Sequence, residues 1–368
     1  MDKTKIVFDV DDTICSNTRK LSYDKCVPDF EVIKKINDLH DNLGFTIVLH
    51  TARGMVSCNG DYEKIVAKNK KVLEDWLKKY DVHYDELIFC KPIADLYVDD
   101  KAMNVSDFKK ETFEVLHGGG SKKPIYKLGN VVKKVIGSEK DTTNFKDWVE
   151  DNHGSCLYPR VISYLYDSVY MDYIDGDNLA DCFTFKDLTN LLAIEKRFSM
   201  MKVSNFSMVP QIEILNKNYC DDPEFNMMID LCKAAILNHK DDFAKNASYS
   251  HGDLILSNVI KSKKDGKLYL IDSRYMRDSS SYLFDLAKLR NSLSGYEYIF
   301  GISDKLHSKF LPSFDYFLDS IGVYDLVVIL HLMYVLRLYR YKNDTEKEAV
   351  KYIAKGLINR NEAVFFGN

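Results

Sequence analysis

The chain has 368 residues, of which 46% are hydrophobic and 29% charged, and its formal net charge is −4. That composition supplies core for two or three globular domains and leaves no electrostatic footprint for nucleic acid or an acidic membrane. The eight cysteines are scattered, with no CxxC pair and no disulfide-style frame, so a reduced, cytoplasmic setting is expected. Met1 to Lys5 runs straight into a strand, which reads as no signal peptide. The longest apolar stretch, Leu326 to Leu336, is interrupted by His331 and reads as a buried helix rather than a membrane span.

Ile6, Val7 and Phe8 form a short continuous apolar run, the pattern of a parallel strand covered on both faces. Asp9 stands at its C-terminal end, where open α/β sheets place ligands, and Asp11, Asp12 and Thr13 follow at once. Like charges packed so closely repel, and become tolerable when a divalent cation or phosphate chemistry uses them. Pro28 to Leu43 carries Val32, Ile36, Leu39 and Leu43 at helical spacing, with Gly44 as a stop. Phe45 to His50 reads as a second buried strand ending at Thr51-Ala-Arg-Gly54, and Tyr62 to Tyr80 as a long amphipathic helix. Leu87-Ile-Phe89 precedes Lys91-Pro92, and Leu96-Tyr-Val98 leads to the paired acids Asp99 and Asp100. This alternation predicts an α/β domain with a doubly wound, Rossmann-like parallel sheet.

Taken in order, these segments resemble the four motifs of the haloacid dehalogenase superfamily of phosphatases. Thr-Ala-Arg, Lys-Pro and Tyr-Val-Asp-Asp-Lys are most similar to its small capless members associated with capsule polysaccharide synthesis. The resemblance implies Mg²⁺-dependent hydrolysis of a phosphate monoester, with Asp9 as the nucleophile that forms an aspartyl-phosphate and Asp11 as acid/base. It implies Thr51 as a phosphoryl-oxygen contact, Lys91 as the balancing cation, and Asp9, Asp11, Asp99 and Asp100 as the metal-binding carboxylates. Arg53 reads either as a substrate-phosphate contact or as a surface arginine.

Beyond Phe108-Lys-Lys110, strands are expected over Glu111 to Leu116, Ile125 to Leu128 and Asn130 to Ile136. The backbone of Gly118, Gly119, Gly120 and Ser121 could close over nucleotide phosphates, although a triple glycine equally suits a linker. Lys133 and Lys134 face opposite sides of their strand; either can be aligned with the phosphates, and Lys134 is preferred. Glu150 or Asp147 would be its partner acid. Val169 to Gly176 reads as a lobe-connecting hinge, with Met171 and Tyr173 at the adenine, or as a strand with polar ends. The remainder, from Leu179 on, is expected to be mostly helical.

Ser250-His-Gly-Asp-Leu-Ile-Leu-Ser-Asn258 and Leu268-Tyr-Leu-Ile-Asp-Ser273 carry the second centre. Phosphoryl transfer from a nucleotide needs one carboxylate for the proton of the attacking hydroxyl, and an amide with a second carboxylate for Mg²⁺. Asp253, Asn258 and Asp272 have that make-up. These residues, with Phe284-Asp-Leu-Ala-Lys-Leu289, resemble the aminoglycoside phosphotransferase and choline kinase family. The resemblance implies a bilobal, protein-kinase-like α+β domain using Mg²⁺ and ATP or GTP, with Asp253 as base and Asn258 and Asp272 as metal ligands. His251 and Asp285 would hold the loop. Asp272-Ser-Arg274 departs from the many similar kinases that place Pro in the middle.

The expected organisation is a phosphatase domain over residues 1–110 and a kinase-like domain over 111–368, with an N-lobe to about 175 and a helical C-lobe from about 176. The expected partners are a small phosphorylated substrate and a small hydroxylated acceptor, in the class of sugar or polyol intermediates, with no nucleic acid, no membrane and homo-oligomerisation left open. The alternatives are one active domain with the other a regulatory scaffold, and a non-enzymatic nucleotide sensor.

Overall fold

A computed structural model describes residues 5–16, 22–42, 45–94, 102–110, 113–116, 125–136, 138–151, 157–164, 168–203, 206–274 and 280–366. The expected strand at Leu96 to Val98, Asp99, Asp100, and the run Gly118 to Ser121 lie outside them. The described residues divide into two compact units, the second beginning at Asn130.

The first unit is built on three parallel strands, β1 (Lys5–Phe8), β2 (Thr46–His50) and β3 (Glu86–Ile88), with β2 in the middle. Register pairs Phe8 with Leu49 and Leu49 with Leu87, so the three strands end side by side. The central strand buries Ile47, Val48 and Leu49, as its continuous apolar run predicts, whereas β1 buries only Phe8 and leaves Val7 exposed, so it is not covered on both faces as expected. Helix α1 (Phe30–Asn37) starts at Asp29, whose side chain accepts from the Val32 N–H, and buries Val32, Ile33 and Ile36. Its expected extension to Leu43 becomes a π-type turn over Asp38–Asn42, still seating Leu39 in the core. Helix α2 (Tyr62–Lys79), capped by Asp61, adds Ile65, Leu73, Trp76 and Leu77 to the same core. Helix α3 (Val105–Lys110) contributes Phe108, edge-on to Phe8 at 5.1 Å. The antiparallel hairpin β4 (Phe113–Leu116) and β5 (Ile125–Leu128) falls within this compact unit. Tyr126 of β5 meets Phe45 edge-on at 5.8 Å, a long-range contact that sequence periodicity does not carry.

In the second unit β6 (Val131–Val135) pairs antiparallel with β8 (Ser168–Asp172), which pairs in turn with β7 (Val161–Tyr164). Helix α4 (Glu139–Asp151) precedes β7. A small antiparallel sheet comes next: β9 (Gly176–Asn178), β10 (Val259–Ser262) and β11 (Leu268–Leu270). The helical part includes α5 (Phe185–Met200), α6 (Val209–Asn216), α7 (Pro223–Asn238), α8 (Tyr282–Leu293), α9 (Tyr324–Leu338) and α10 (Asp344–Arg360). Every residue from Leu326 to Leu336 is buried, so α9 is the central helix of this core, apolar on all sides. Among the described residues no helix is long and apolar enough to cross a membrane.

Candidate active sites

Because β1, β2 and β3 end together, the loops that leave them converge. Lys91, just after β3, donates from Nζ to Asp9 Oδ2 at 2.6 Å, while Asp9 Oδ1 accepts from the Val10 N–H at 2.8 Å. Thr51 is stitched between the strand ends: its N–H donates to Ile88 O and its carbonyl accepts from the Lys91 N–H, both at 3.0 Å. It is fully buried, and its Oγ1 accepts from the Arg53 N–H at 3.1 Å. Asp12, next in the loop, takes the left-handed conformation, with φ +57°.

Arg53 overturns the surface reading, since its side chain is wholly buried. Its Nε donates to the two Asp11 oxygens at 2.9 and 3.2 Å, its Nη2 lies 2.8 Å from Oδ1, and its guanidinium covers the Tyr23 ring at 4.6 Å. A buried cation needs this counter-charge: burial would push the Arg53 pKa down, and the contact with Asp11 outweighs it and holds it up. Both Asp11 oxygens thereby accept from Arg53, and each retains a further lone pair. Asp9, Asp11, Thr51 and Lys91 are brought together; Asp99 and Asp100 lie outside the described residues.

The second centre is assembled by backbone bonds between a loop and the end of a hairpin. The Ile271 N–H donates to Asn258 O and the Arg274 N–H to His251 O, each at 2.9 Å, which holds the segment from His251 to Asn258 against Asp272. Asp285 of α8 secures the other side, accepting from the N–H groups of His251 and Gly252. Burial raises the Asp285 pKa to about 7, although these N–H donors pull it the other way. His251 is fully buried, 5.5 Å edge-on from Trp148, and burial depresses its pKa to about 4. It is therefore neutral near pH 7.

Asn258 Nδ2 donates to Asp253 O at 2.9 Å and reaches Asp253 Oδ2 at 3.4 Å, leaving its Oδ1 without a protein partner among the described residues. Asp272 takes φ +60°, and its Oδ1 lies 2.6 Å from Lys134 Nζ. The preference for Lys134 over Lys133 thus has a geometric basis: Lys134 points to the carboxylate and Lys133 is buried on the other face of β6. Neither expected partner acid meets Lys134; Glu150 is exposed and pairs with Lys146 at 3.7 Å. The free Asn258 amide oxygen and the Asp272 carboxylate, against which an ammonium now rests, are hard oxygen donors that fit Mg²⁺. Met171 lies buried in β8, and the Tyr173 N–H donates to Asn130 O at 2.8 Å, so the segment is a strand end bound to the start of the second unit.

Sequence reasoning missed the cations around Asp253. Lys288 of α8 lies 2.9 Å from Asp253 Oδ1 and 4.3 Å above the Tyr334 ring, and Arg274 reaches Oδ2 at 3.5 Å. Burial tends to raise the Asp253 pKa, but Lys288 and then Arg274 outweigh it, and the net direction is down. Lys288 is three residues after Asp285 and so shares its helix face, a signal available in the sequence.

No protein-family model matches the chain, and no curated protein matches it. Among solved structures it is similar to an MCSG target from Vibrio cholerae, with 34% identity over 29% of this chain and 87% of that chain and a TM-score of 0.27. It is similar to choline kinase LicA from Streptococcus pneumoniae, with 18% identity over 67% of this chain and 94% of that chain and a TM-score of 0.47. A choline/ethanolamine kinase family protein from Mesorhizobium loti is 15% identical over 70% of this chain and 91% of that chain, with a TM-score of 0.48. The chemistry of the two centres is therefore read from their own geometry.

Proposed function

We propose that the chain is a bifunctional phosphoryl-transfer enzyme whose second unit is a small-molecule kinase using ATP or GTP. The observation that carries this reading is the set Lys134, Asp272, Asn258 and Asp253, in which a lysine distant in sequence meets a loop and the hairpin that follows it. Asp253 would accept the proton of the acceptor hydroxyl, with Asn258 fixing its carboxylate and backbone. Lys134 would release Asp272 to contact the transferring phosphates. Asn258 and Asp272 would hold Mg²⁺, which when bound supplies charge neutralisation of the phosphates. Such transfers need more positioning than base strength, so a carboxylate kept ionised by Lys288 suits the role.

The contact of Asp9 with Lys91, beside Asp11 fixed by Arg53, favours a second activity in the first unit: hydrolysis of a phosphate monoester. Asp9 would attack phosphorus and expel the alcohol, which takes up a proton through Asp11. Water would then cleave the aspartyl-phosphate, its proton returning to Asp11. Mg²⁺ there would use Asp9 and Asp11 with Asp99 and Asp100. Two opposed activities on one position would only consume nucleotide, so the substrate class is a sugar or polyol handled at two positions, as in surface polysaccharide synthesis, in the cytoplasm.

The test is a two-by-two matrix of variants and activities. Asp9→Asn should lower release of phosphate from an aryl phosphate by at least ~10³-fold and leave nucleotide-dependent transfer intact. Asp253→Ala should do the converse while keeping nucleotide affinity. Loss of both activities in either folded variant would defeat the bifunctional reading, and loss of neither would defeat both site assignments.

A further inference from the structure

Helix α9 carries a second polar feature one turn beyond Tyr334. Where α6 and α9 both end, a cavity of about 130 Å³ is lined by Ile214, Lys217, Asn218, Arg337, Arg340 and Tyr341. Lys217, Arg337 and Arg340 form no ion pair among the described residues, and Arg340 only covers the Tyr341 ring at 5.0 Å. Asn218 is 3% exposed; its Nδ2 donates to Ile214 O at 2.8 Å, and its buried Oδ1 has no partner among the described residues. Lysines and arginines often sit at helix C-termini simply to balance the backbone dipole. Two helix ends supply about half a negative charge each, so three full cations leave the cavity positive by about two charges. The dipoles alone do not account for them.

Tyr334 and Arg337 are three residues apart in α9, so they share a face and are separated by about 4.5 Å along the axis. The Tyr334 ring is the one beneath Lys288, whose ammonium touches Asp253. The phenols of Tyr296 and Tyr334 lie within electrostatic reach of both Asp253 and Arg337. Arg337 of the cavity lining thus lies one helical turn from Tyr334, whose ring is covered by the lysine that touches the proposed catalytic carboxylate.

We propose that the acceptor of the kinase centre is an anionic small molecule: a hydroxylated compound bearing a phosphate or carboxylate that Lys217, Arg337 and Arg340 hold. One of its hydroxyls donates to Asn218 Oδ1, and another is presented to Asp253. This rests on the kinase reading above. A cationic acceptor meets the wrong charge here, and the aromatic face that would suit a quaternary ammonium is already covered by Lys288.

The test uses the full chain with Mg-ATP and reads ADP release with four acceptor groups: sugar monophosphates, sugar acids, the matching neutral sugars, and choline. Turnover should require one of the two anionic groups, and which of them works distinguishes phosphate from carboxylate. Arg337→Met and Lys217→Met should each raise KM for the working acceptor about tenfold or more, as loss of a charge-assisted contact does. KM for ATP should stay unchanged, and Arg337→Lys should recover part of the loss. Preference for neutral sugars or choline, or an unmoved KM in both variants, overturns the inference and leaves the kinase reading standing. Absence of ATP turnover with every acceptor, in protein that binds ATP, counts against the kinase reading instead. The cavity is then tested by calorimetric titration with inorganic phosphate: binding weakened about tenfold by Arg337→Met supports the anion site, and no binding overturns it.

Discussion

In the first unit Asp9 and Asp11 each receive a counter-charge from the end of a neighbouring strand, Lys91 for Asp9 and Arg53 for Asp11. In the second unit the central carboxylate lies in a loop, and its counter-charges come from a helix, Lys288, and from the segment after a hairpin, Arg274. Parallel strands bring their C-terminal ends to one edge whatever their side chains are, so the first site arises from topology. The second depends on long-range packing of α8 against the loop, and on the Asp285 carboxylate that binds two of the loop's N–H groups. A strand-end site is therefore sensitive chiefly to its own residues, whereas a loop site is sensitive also to the helices that hold it.

The strongest way to break this comparison is to remove metal. Chelation should silence both proposed activities, and added Mg²⁺ should restore both, because each centre gathers carboxylates that suit a divalent cation. Persistence of either activity in chelator would remove that centre's metal assignment. Next in size is the lysine pair of β6. Lys134→Met should weaken ATP use by about tenfold to a hundredfold, since a contact to a charged group is lost. Lys133→Met should instead affect stability, and equal kinetic effects of the two would undo the geometric choice. Arg53→Met removes the partner of a carboxylate in the first unit; phosphatase activity should drop about tenfold or more while kinase activity is unchanged.

The smallest effect concerns pH. Burial raises the pKa of Glu195 and Asp285 in the second unit, and Glu195 has no hydrogen-bond partner at either oxygen among the described residues. The folded chain therefore keeps protons that the unfolded chain releases near the ordinary carboxylate pKa of 3.8, and these groups lower stability as pH climbs from there to about 7. His251 and His331, kept neutral by burial, act with the opposite sign as pH falls through the histidine range, so the parent curve mixes the two. The difference between Glu195→Gln and the parent isolates the carboxyls. It should grow with pH across this window, in favour of the variant, in denaturant unfolding. A flat difference would mean that Glu195 is not titrating in the fold.

Much of the first site was legible because Asp9, Thr51 and Lys91 each come after an apolar run that forms a strand, although only the run before Thr51 is buried throughout its middle and Val7 and Ile88 are exposed. Arg53 was not, because its burial comes from Tyr23, Cys15 and Cys26 closing round it from another segment. In the second unit the spacing of Asp253, Asn258 and Asp272 could be read directly. The period-two pattern of β6 separated Lys133 from Lys134 without saying which side faces Asp272. The grouping of the hairpin with the first unit was likewise hidden, since it rests on Tyr126 meeting Phe45 and not on a local pattern.

The left-handed backbone at Asp272 bears on how this gene can drift. Only glycine, asparagine and aspartate sit there without a cost of about 1–2 kcal/mol. Asparagine and glycine are each one base away from either aspartate codon. The substitutions that the conformation tolerates best are thus the two that delete the charge proposed here to meet metal. A lineage released from the need for the kinase would first accumulate inactive, well-folded copies, with the first unit untouched.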